Sequence, residues 1–252
     1  MAIYLKEFST HSEYEQYING SGAILPNVSV CTTEGDVHYN PYVDPYAGHD
    51  YVEIGGLKWA TMNIGATGVT DTGLYFSWGD ISGYTADQVG SGEGQKYFGW
   101  ADYKYGNGTS SPGATGMTKY NSSDGKTVLD AEDDAAVANW GGSWRMPTTA
   151  EYVALGNAVN TTWTADYQGS GVAGIICTDR TDSSKELFFP ACGRCYNGSV
   201  DNVGSYGNYW SSSLNSSDIR NACFLYFLDG NVSWQNDYYY RFFGFLVRGV
   251  VG

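Results

Sequence analysis

Residues 221–235 read NACFLYFLDGNVSWQ, and this stretch decides how the chain folds. Asp229-Gly230 stands between two runs of alternating apolar residues. That is a two-residue hairpin signal, because the mirror-image turn needs positive φ at its central positions. Such a turn sets the register: Leu228 faces Asn231, Phe227 faces Val232, Tyr226 faces Ser233 and Leu225 faces Trp234. Period-two alternation then places Leu225, Phe227, Val232 and Trp234 on one face. Phe224, Tyr226, Leu228, Asn231, Ser233 and Gln235 fall on the other. The first face is a clean core set. The second is chemically mixed, as a solvent-facing contact surface would be.

The same interleaving extends through residues 207–250. Trp210, Ala222, Phe245 and Val247 complete the expected core, and in GFLVRGV (244–250) Leu246 and Arg248 share the face opposite Phe245 and Val247. Gly244 interrupts the alternation as a bulge would, so parity is not carried back to Phe242 and Phe243. LNSSDIRN (214–221) and NDYYYRFF (236–243) fall at strand ends, where loops gather. Tyr, Ser, Asn and Asp dominate there, the mixture antibody contact loops use: rigid rings for area, short polar groups for adaptable hydrogen bonds. Several exposed aromatic residues side by side call for a partner. The composition therefore points to a binding protein and away from an enzyme.

The 252-residue chain accommodates one large domain with an appendage. Its 34 Gly and 22 Tyr against 13 basic residues describe a turn-rich, aromatic-rich α+β or all-β chain, not a helical bundle. A net charge of -14 without a Lys/Arg cluster argues against nucleic acid. No apolar run approaches the ~20 residues of a membrane helix, and the opening MAIYLKEFSTHSEYEQYI lacks the basic and apolar blocks of a secretory signal. Direct membrane insertion is therefore not expected.

Residues 1–50 differ in texture from the rest. Capping-box spacings at Thr10/Glu13 and Ser12/Glu15 predict a short helix over Glu13–Ile18, followed by a hairpin turning at Glu34-Gly35-Asp36. So little structure buries little surface alone, and the segment reads as a docking or oligomerisation element. From Tyr51 a globular domain begins. YVEIGGLKWATMNIG predicts a hairpin about Gly55-Gly56, GLYFSWGD a strand, and residues 82–126 loops. Asp130 is expected to cap a helix over Ala131–Asn139, and Thr148-x-x-Glu151 to open a second, with strands beyond Ile175.

Chemistry-bearing patterns are thin. Cys192-Gly-Arg-Cys195 has redox or zinc spacing, but it lacks the second pair or histidines a zinc site needs. The five cysteines are too sparse for a disulfide framework. No histidine follows His49, which removes imidazole acid–base chemistry from the main domain. Asp130, Glu132, Asp133 and Asp134 form an acidic run, read chiefly as favourable charge at a helix start. Neither cofactor nor metal is expected.

Four groups of residues carry a resemblance. WATMNIGA (59–66) with GLYFSWGD (73–80), NWGGSWRMPTTAEYVAL (139–155), LFFPACG (187–193) with YWSSS (209–213), and FGFLVRGV (243–250), in that order, resemble C-type-lectin-like domains of bacteria and phages. They are akin to the formylglycine-generating-enzyme branch and to lectin-like paralogous surface domains of gut bacteria. The resemblance spans residues 51–252 and implies an α+β, C-type-lectin-like fold: two helices, twisted antiparallel sheets and long irregular loops. The lectins' calcium-ligating Glu-Pro-Asn or Gln-Pro-Asp triplet is missing, and Trp210 is followed by Ser211-Ser212 where those lectins have Asn-Asp.

The tail, residues 196–252, resembles the variable region of proteins diversified by a retroelement, of the phage major-tropism-determinant type. There, mutated template adenines scatter codons among Asn, Tyr, Ser, Asp, Phe, Leu, Ile and Cys but never reach Trp, Met, Lys, Gln or Glu. Under that resemblance the variable, ligand-binding positions are Leu214, Ser216, Ser217, Asp218, Ile219, Asn221, Phe224, Tyr226, Leu228, Ser233, Asp237, Tyr238, Tyr239, Tyr240, Phe242, Phe243 and Leu246. Gln235 falls outside the reachable set, and residues 196–252 contain no Lys, Glu or Met. LPNVSVC (25–31) and GDVHYNPY (35–42) resemble the start of phage structural proteins. The resemblance thus implies a receptor-recognition protein of a phage tail or bacterial cell surface, binding a host-surface protein or glycan without a metal. Residues 1–50 would dock it to a particle or a membrane-anchored partner, with homo-oligomers permitted. The alternative is a structural surface or fimbrial subunit with an invariant lectin-like domain.

Overall fold

The structure, a computed structural model, describes residues 46–109, 116–235 and 238–252, together with the backbone of Val30–Cys31 and Val37–His38. The chain divides into two compact units, Met1–Gly48 and His49–Gly252. In the first, β1 (Val30–Cys31) and β2 (Val37–His38) pair antiparallel with Val30 opposite His38; the turn expected at Glu34-Gly35-Asp36 lies outside the described residues. The helix expected over Glu13–Ile18 lies outside the described residues.

The second unit is α+β. In chain order it carries β3 (Tyr51–Ile54), β4 (Leu57–Asn63), α1 (Ala135–Trp140), α2 (Thr149–Ala158), β5 (Val159–Thr164), β6 (Gly174–Asp179), β7 (Glu186–Pro190), β8 (Cys192–Tyr196) and β9 (Ser199–Val203). There follow β10 (Gly207–Leu214), β11 (Asn221–Leu228), β12 (Asn231–Ser233), β13 (Tyr238–Tyr240) and β14 (Arg248–Val251). The strands form small antiparallel sheets: β14-β4-β3, β5-β6-β7, β8-β9, and β10-β11-β12 with β13 also on β11. No helix among the described residues is long and apolar enough to cross a membrane.

Local sequence explains most of these elements. Gly55 and Gly56 take φ of 64° and 82°, so Ile54 pairs directly with Leu57 across a mirror-image turn. The Thr148 hydroxyl accepts from Glu151 N–H while Glu151 Oε2 accepts from Thr148 N–H, closing the expected capping box of α2. The first helix is shorter than its reading. Ala131–Asp133 is a 3-10 turn, and α1 starts at Ala135 because Asp134, not Asp130, caps it by accepting from the N–H groups of Ala136 and Val137. Asp130 is held instead by Lys126 and Lys119. GLYFSWGD is not a regular strand. Its successive N–H groups go to different partners, Tyr75 to the Tyr84 carbonyl, Phe76 to Phe245 and Trp78 to Arg241, so it splices two parts of the domain.

The deciding hairpin has the register read from its turn: Leu228 opposite Asn231, Phe227 opposite Val232, Tyr226 opposite Ser233. β12 ends at Ser233, so Leu225 and Trp234 are not a ladder pair. Leu225 and Phe227 are fully buried, in one cluster with Trp59, Tyr152, Phe189 and Tyr209; Val232 and Trp234 pack half-buried against it. The opposite face departs from its reading at one end. Phe224 is only 6% exposed, because Trp210 beside it and Phe245 from the C-terminal segment cover it, with ring centroids 5.9 and 4.7 Å away. Tyr226 and Leu228 stay half-buried.

The C-terminal segment is buried on both sides. Leu246 and Arg248 are both 0% exposed, which corrects their placement on an outward face. Leu246 N–H donates to the Asn208 carbonyl while Trp210 N–H donates to the Leu246 carbonyl, threading the segment against β10. The Arg248 guanidinium meets no carboxylate among the described residues. It donates to Asn63 Oδ1 at 3.0 and 2.7 Å and to the Ala60 and Thr61 carbonyls at 3.0 Å, with its carbon 4.6 Å from the Phe189 ring centroid. Arg241, also fully buried, donates to Tyr103 Oη and to the Lys119, Tyr120 and Ile219 carbonyls. It thereby ties the loops before α1 to β13.

Candidate ligand-binding cleft

Three separate segments converge beside β13. The first is the loop Tyr97–Ala101. The Asp102 carboxylate fixes it by accepting from the N–H groups of Tyr97, Phe98 and Gly99 at 3.2, 3.2 and 2.7 Å. The second is the β8–β9 turn. Asn197 and Gly198 donate to the Phe98 and Tyr97 carbonyls, clipping turn to loop. The third runs from Arg220 through β13 to Phe243, laid against β11 by the Asn221–Tyr240 and Cys223–Tyr238 pairs. Between them opens a cleft of about 550 Å³ whose walls include Tyr97, Trp100, Arg194, Tyr196, Tyr239 and Tyr240, with Phe242 and Phe243 beneath.

A chain of aromatic contacts makes the cleft floor rigid. Trp210 stacks on Phe245 at 4.2 Å, and Phe245 lies 5.9 Å from Phe243. Phe243 meets Tyr239 at 4.2 Å and stacks on Tyr196 at 4.7 Å. Phe242 meets Trp100 at 4.8 Å, and Trp100 meets Tyr240 at 5.5 Å. Edge-to-face and offset ring pairs of this kind each add about 0.5–1.5 kcal/mol beyond burial. Among the described residues, four of the exposed large aromatic side chains, Tyr97, Tyr196, Tyr238 and Tyr240, gather at or next to this cleft.

Two guanidinium groups line it and differ in partnership. Arg220 forks onto Asp218, Nε at 2.9 Å and Nη2 at 2.7 Å, and these bonds hold the Asp218 carboxyl below the ordinary carboxylate range. Arg194 has no such partner among the described residues. Its guanidinium carbon lies 5.3 and 5.5 Å from the Tyr239 and Phe243 ring centroids, and its buried Nε has no hydrogen-bond acceptor.

The positions read from the tail separate into groups. Ser216 and Ser217 are exposed in a turn that Asn215 Oδ1 caps by accepting from Ser217 and Asp218 N–H. Tyr238 and Tyr240 are exposed; Asp218, Ile219, Tyr226, Leu228, Ser233 and Tyr239 are half-buried. Leu228 reaches a smaller groove of about 260 Å³ between Trp163 and Trp234. Leu214, Asn221, Phe224, Phe242, Phe243 and Leu246 are buried, and for Phe224 and Leu246 this corrects the outward face read from alternation. Leu214 and Asn221 flank the Asn215 turn, where Asn221 N–H donates to the Asp218 carbonyl. Phe242 and Phe243 fold under the rings already described, yet still border the cleft. Asp237 lies outside the described residues.

The chain matches no protein-family model, no curated protein and no solved structure. The cleft's geometry therefore carries the functional reading.

Trp100, Arg194, Tyr196 and Arg220 did not emerge from the sequence as site residues. Arg194 stands inside the Cys-x-x-Cys spacing, where the cysteines drew the attention. Trp100 sits in KYFGWADYKYG (96–106), an aromatic-rich island within the Gly/Ser-rich tract, and that was the available signal.

The other candidate chemistries are occupied or quenched. Carboxylate oxygens of Asp130, Glu132 and Asp133 lie within 4.8 Å of one another, a spacing that could hold a cation. The Lys119 ammonium already sits among them, at 2.9, 2.7 and 2.5 Å, and Lys104 adds a second contact to Asp133 at 3.0 Å. Cys192 and Cys195 are buried free thiols. Burial pushes the Cys192 thiol up to about 11 and Cys195 higher still, the direction opposite to that of an activated nucleophilic thiol.

Proposed function

We propose that the chain is a receptor-recognition protein of C-type-lectin-like fold, seated on a phage tail or bacterial surface through its first unit. Its ligand is a host-surface molecule held without a metal in the Trp100–Tyr240 cleft, and the exposed tail positions around that cleft are the ones a retroelement diversifies. The reading implies no enzymatic step. One observation carries it: an open cleft lined by Trp and Tyr rings from three unconnected segments, on a floor whose rings are locked by packing. Pre-organised aromatic side chains with polar tips supply contact area at little ordering cost, which is what hot spots of recognition require. Tyr240 brings a polar tip to the cleft, and Ser216, Ser217 and Tyr238 are exposed on the same tail, the mixture that adaptable contact surfaces use.

Two measurements test this reading. Labelled full-length protein is scored for adhesion to a panel of bacterial strains, alone and as Trp100→Ala/Tyr240→Ala. Selective adhesion that the double variant loses while keeping its melting temperature supports the cleft; adhesion indifferent to both substitutions removes it. The gene is also sequenced from sibling isolates. Replacements clustered at Ser216, Ser217, Asp218, Tyr226, Tyr238, Tyr239 and Tyr240, over unchanged codons for buried Leu246 and Phe245, support diversification. Silent changes scattered evenly across the gene favour an invariant structural subunit instead.

A further inference from the structure

We infer that the cleft selects an acidic sugar, with the sugar's carboxylate forked onto Arg194 and its ring packed against Trp100 and Tyr240. This rests on the reading of the cleft as the ligand site and names what that site takes.

Arg194 is the reason. The chain carries a net charge of -14, and the other guanidinium of the cleft is already neutralised by Asp218. Asp201 sits opposite Arg194 in the β8–β9 register, yet no carboxylate among the described residues comes within ion-pair distance of Arg194. A half-buried cation left without a counter-ion is costly unless something else supplies one. The Tyr239 and Phe243 rings offset part of that cost by their quadrupoles. They also fix the plane of the guanidinium, so that its terminal nitrogens, which no described residue engages, are preset for a planar bidentate acceptor.

A carboxylate fits that fork with one negative charge. A phosphate dianion would bring a second charge that no second unpaired cation among the described cleft residues meets, since Arg220 is already paired with Asp218. A sugar fits the remaining walls. Half-buried Trp100 and exposed Tyr240, whose rings meet at 60°, give an apolar corner for the C–H groups of a pyranose, and the tyrosines and Asn197 bring polar groups to the cleft for its hydroxyls. The cleft volume of about 550 Å³ suits one or two such rings.

The test titrates full-length protein, followed by Trp fluorescence and calorimetry, with the methyl glycosides of glucuronate, galacturonate and N-acetylneuraminate. Each is paired with its neutral methyl ester, and an acidic dipeptide amide serves as a competitor class. At least one acidic sugar should bind saturably and its ester about 10- to 100-fold more weakly, the range expected for losing a charge-assisted fork. Arg194→Gln should bind acid and ester alike. The ester comparison needs no variant, so a misfolded Arg194→Gln leaves the test intact. Equal binding of acid and ester by wild type overturns the carboxylate claim, while sensitivity of that binding to Trp100→Ala would leave the cleft standing as a ligand site. Preference for the dipeptide overturns the sugar assignment. Absence of saturable binding by all the sugars overturns the inference, and the adhesion of Trp100→Ala/Tyr240→Ala then judges the broader reading separately.

Discussion

The two faces of β11 can be separated by one pair of substitutions, Phe227→Ala and Tyr226→Ala, adjacent in sequence and opposite in direction. Phe227 is 0% exposed. Its ring stacks on Tyr209 at 5.9 Å and lies on Gly207, where even a methyl group would come within 1.9 Å of it. Strand backbone closes both sides of that site, so little collapse can follow truncation. The cost therefore belongs in the upper half of the range for a buried Phe→Ala change, about 4–5 kcal/mol. Tyr226 is half-buried, with Tyr206 5.7 Å away across its edge, and its truncation costs roughly 1 kcal/mol. For a domain of this size each kcal/mol moves the melting temperature by roughly 2–4 °C. Phe227→Ala should thus fall by about 10 °C or more and Tyr226→Ala by no more than about 4 °C. Tryptophan fluorescence is the natural assay, since all eight tryptophans lie between Trp59 and Trp234, inside the second unit. Equal losses, or a larger loss for Tyr226→Ala, would refute the assignment of core to the Phe227 face.

Three further outcomes follow from the packing. Gly207→Ala should destabilise by about 1–3 kcal/mol in urea melts, because its new Cβ meets the Phe227 ring and backbone must shift. Arg241→Met should cost about 3 kcal/mol and raise protease sensitivity near Lys119 and Tyr120, whose carbonyls lose their buried donor. Burial alone would raise the Asp133 carboxyl, but hydrogen bonds from Lys119, Tyr105, Tyr120 and Lys104 outweigh it and hold Asp133 well below the ordinary range. A depressed folded-state value stabilises fully above the unfolded value of about 3.8 and is lost as pH falls through the folded one. Asp133→Asn should therefore melt lower than wild type at neutral pH, with the gap closing as pH drops below that range; a gap that stays constant into acid would deny the ionic role.

Turn chemistry and periodicity carried a definite part of this fold. Asp229-Gly230 determined which residues oppose each other across the final hairpin, and alternation assigned Leu225 and Phe227 to the core. Gly55-Gly56 and Thr148-x-x-Glu151 worked in the same local way. What period-two alternation cannot say is what covers the reverse face. Phe224 is buried by Phe245, more than twenty positions later in the chain, and no local pattern at Phe224 distinguishes that from exposure. Leu246 and Arg248 show the same limit, since a segment clasped on both sides has no outward parity. Asp134 displaced Asp130 as helix cap because two lysines claim Asp130, a tertiary competition invisible to spacing.

The cleft sharpens the distinction between composition and convergence. Tyr239 and Tyr240 were legible as a run of rings at a strand end, and both line the cleft. Trp100 and Arg194 were not, because their meaning arises only when the Asp102-braced loop and the β8–β9 turn are clipped together by backbone bonds from Asn197 and Gly198. That division has a physical consequence for the proposed diversification. The floor rings Phe242, Phe243 and Phe245 and the fixed wall of Trp100, Arg194 and Tyr196 do not depend on the identity of Tyr238, whose ring stands exposed, whereas Tyr240 packs on Trp100 and Phe242. Substitution at Tyr238 can then change which molecule is favoured without disturbing the charge and platform that receive it, whereas substitution at Phe243 would move Tyr239, Tyr196 and Arg194 together. A recognition surface built this way tolerates variety on its rim because its anchor is held elsewhere.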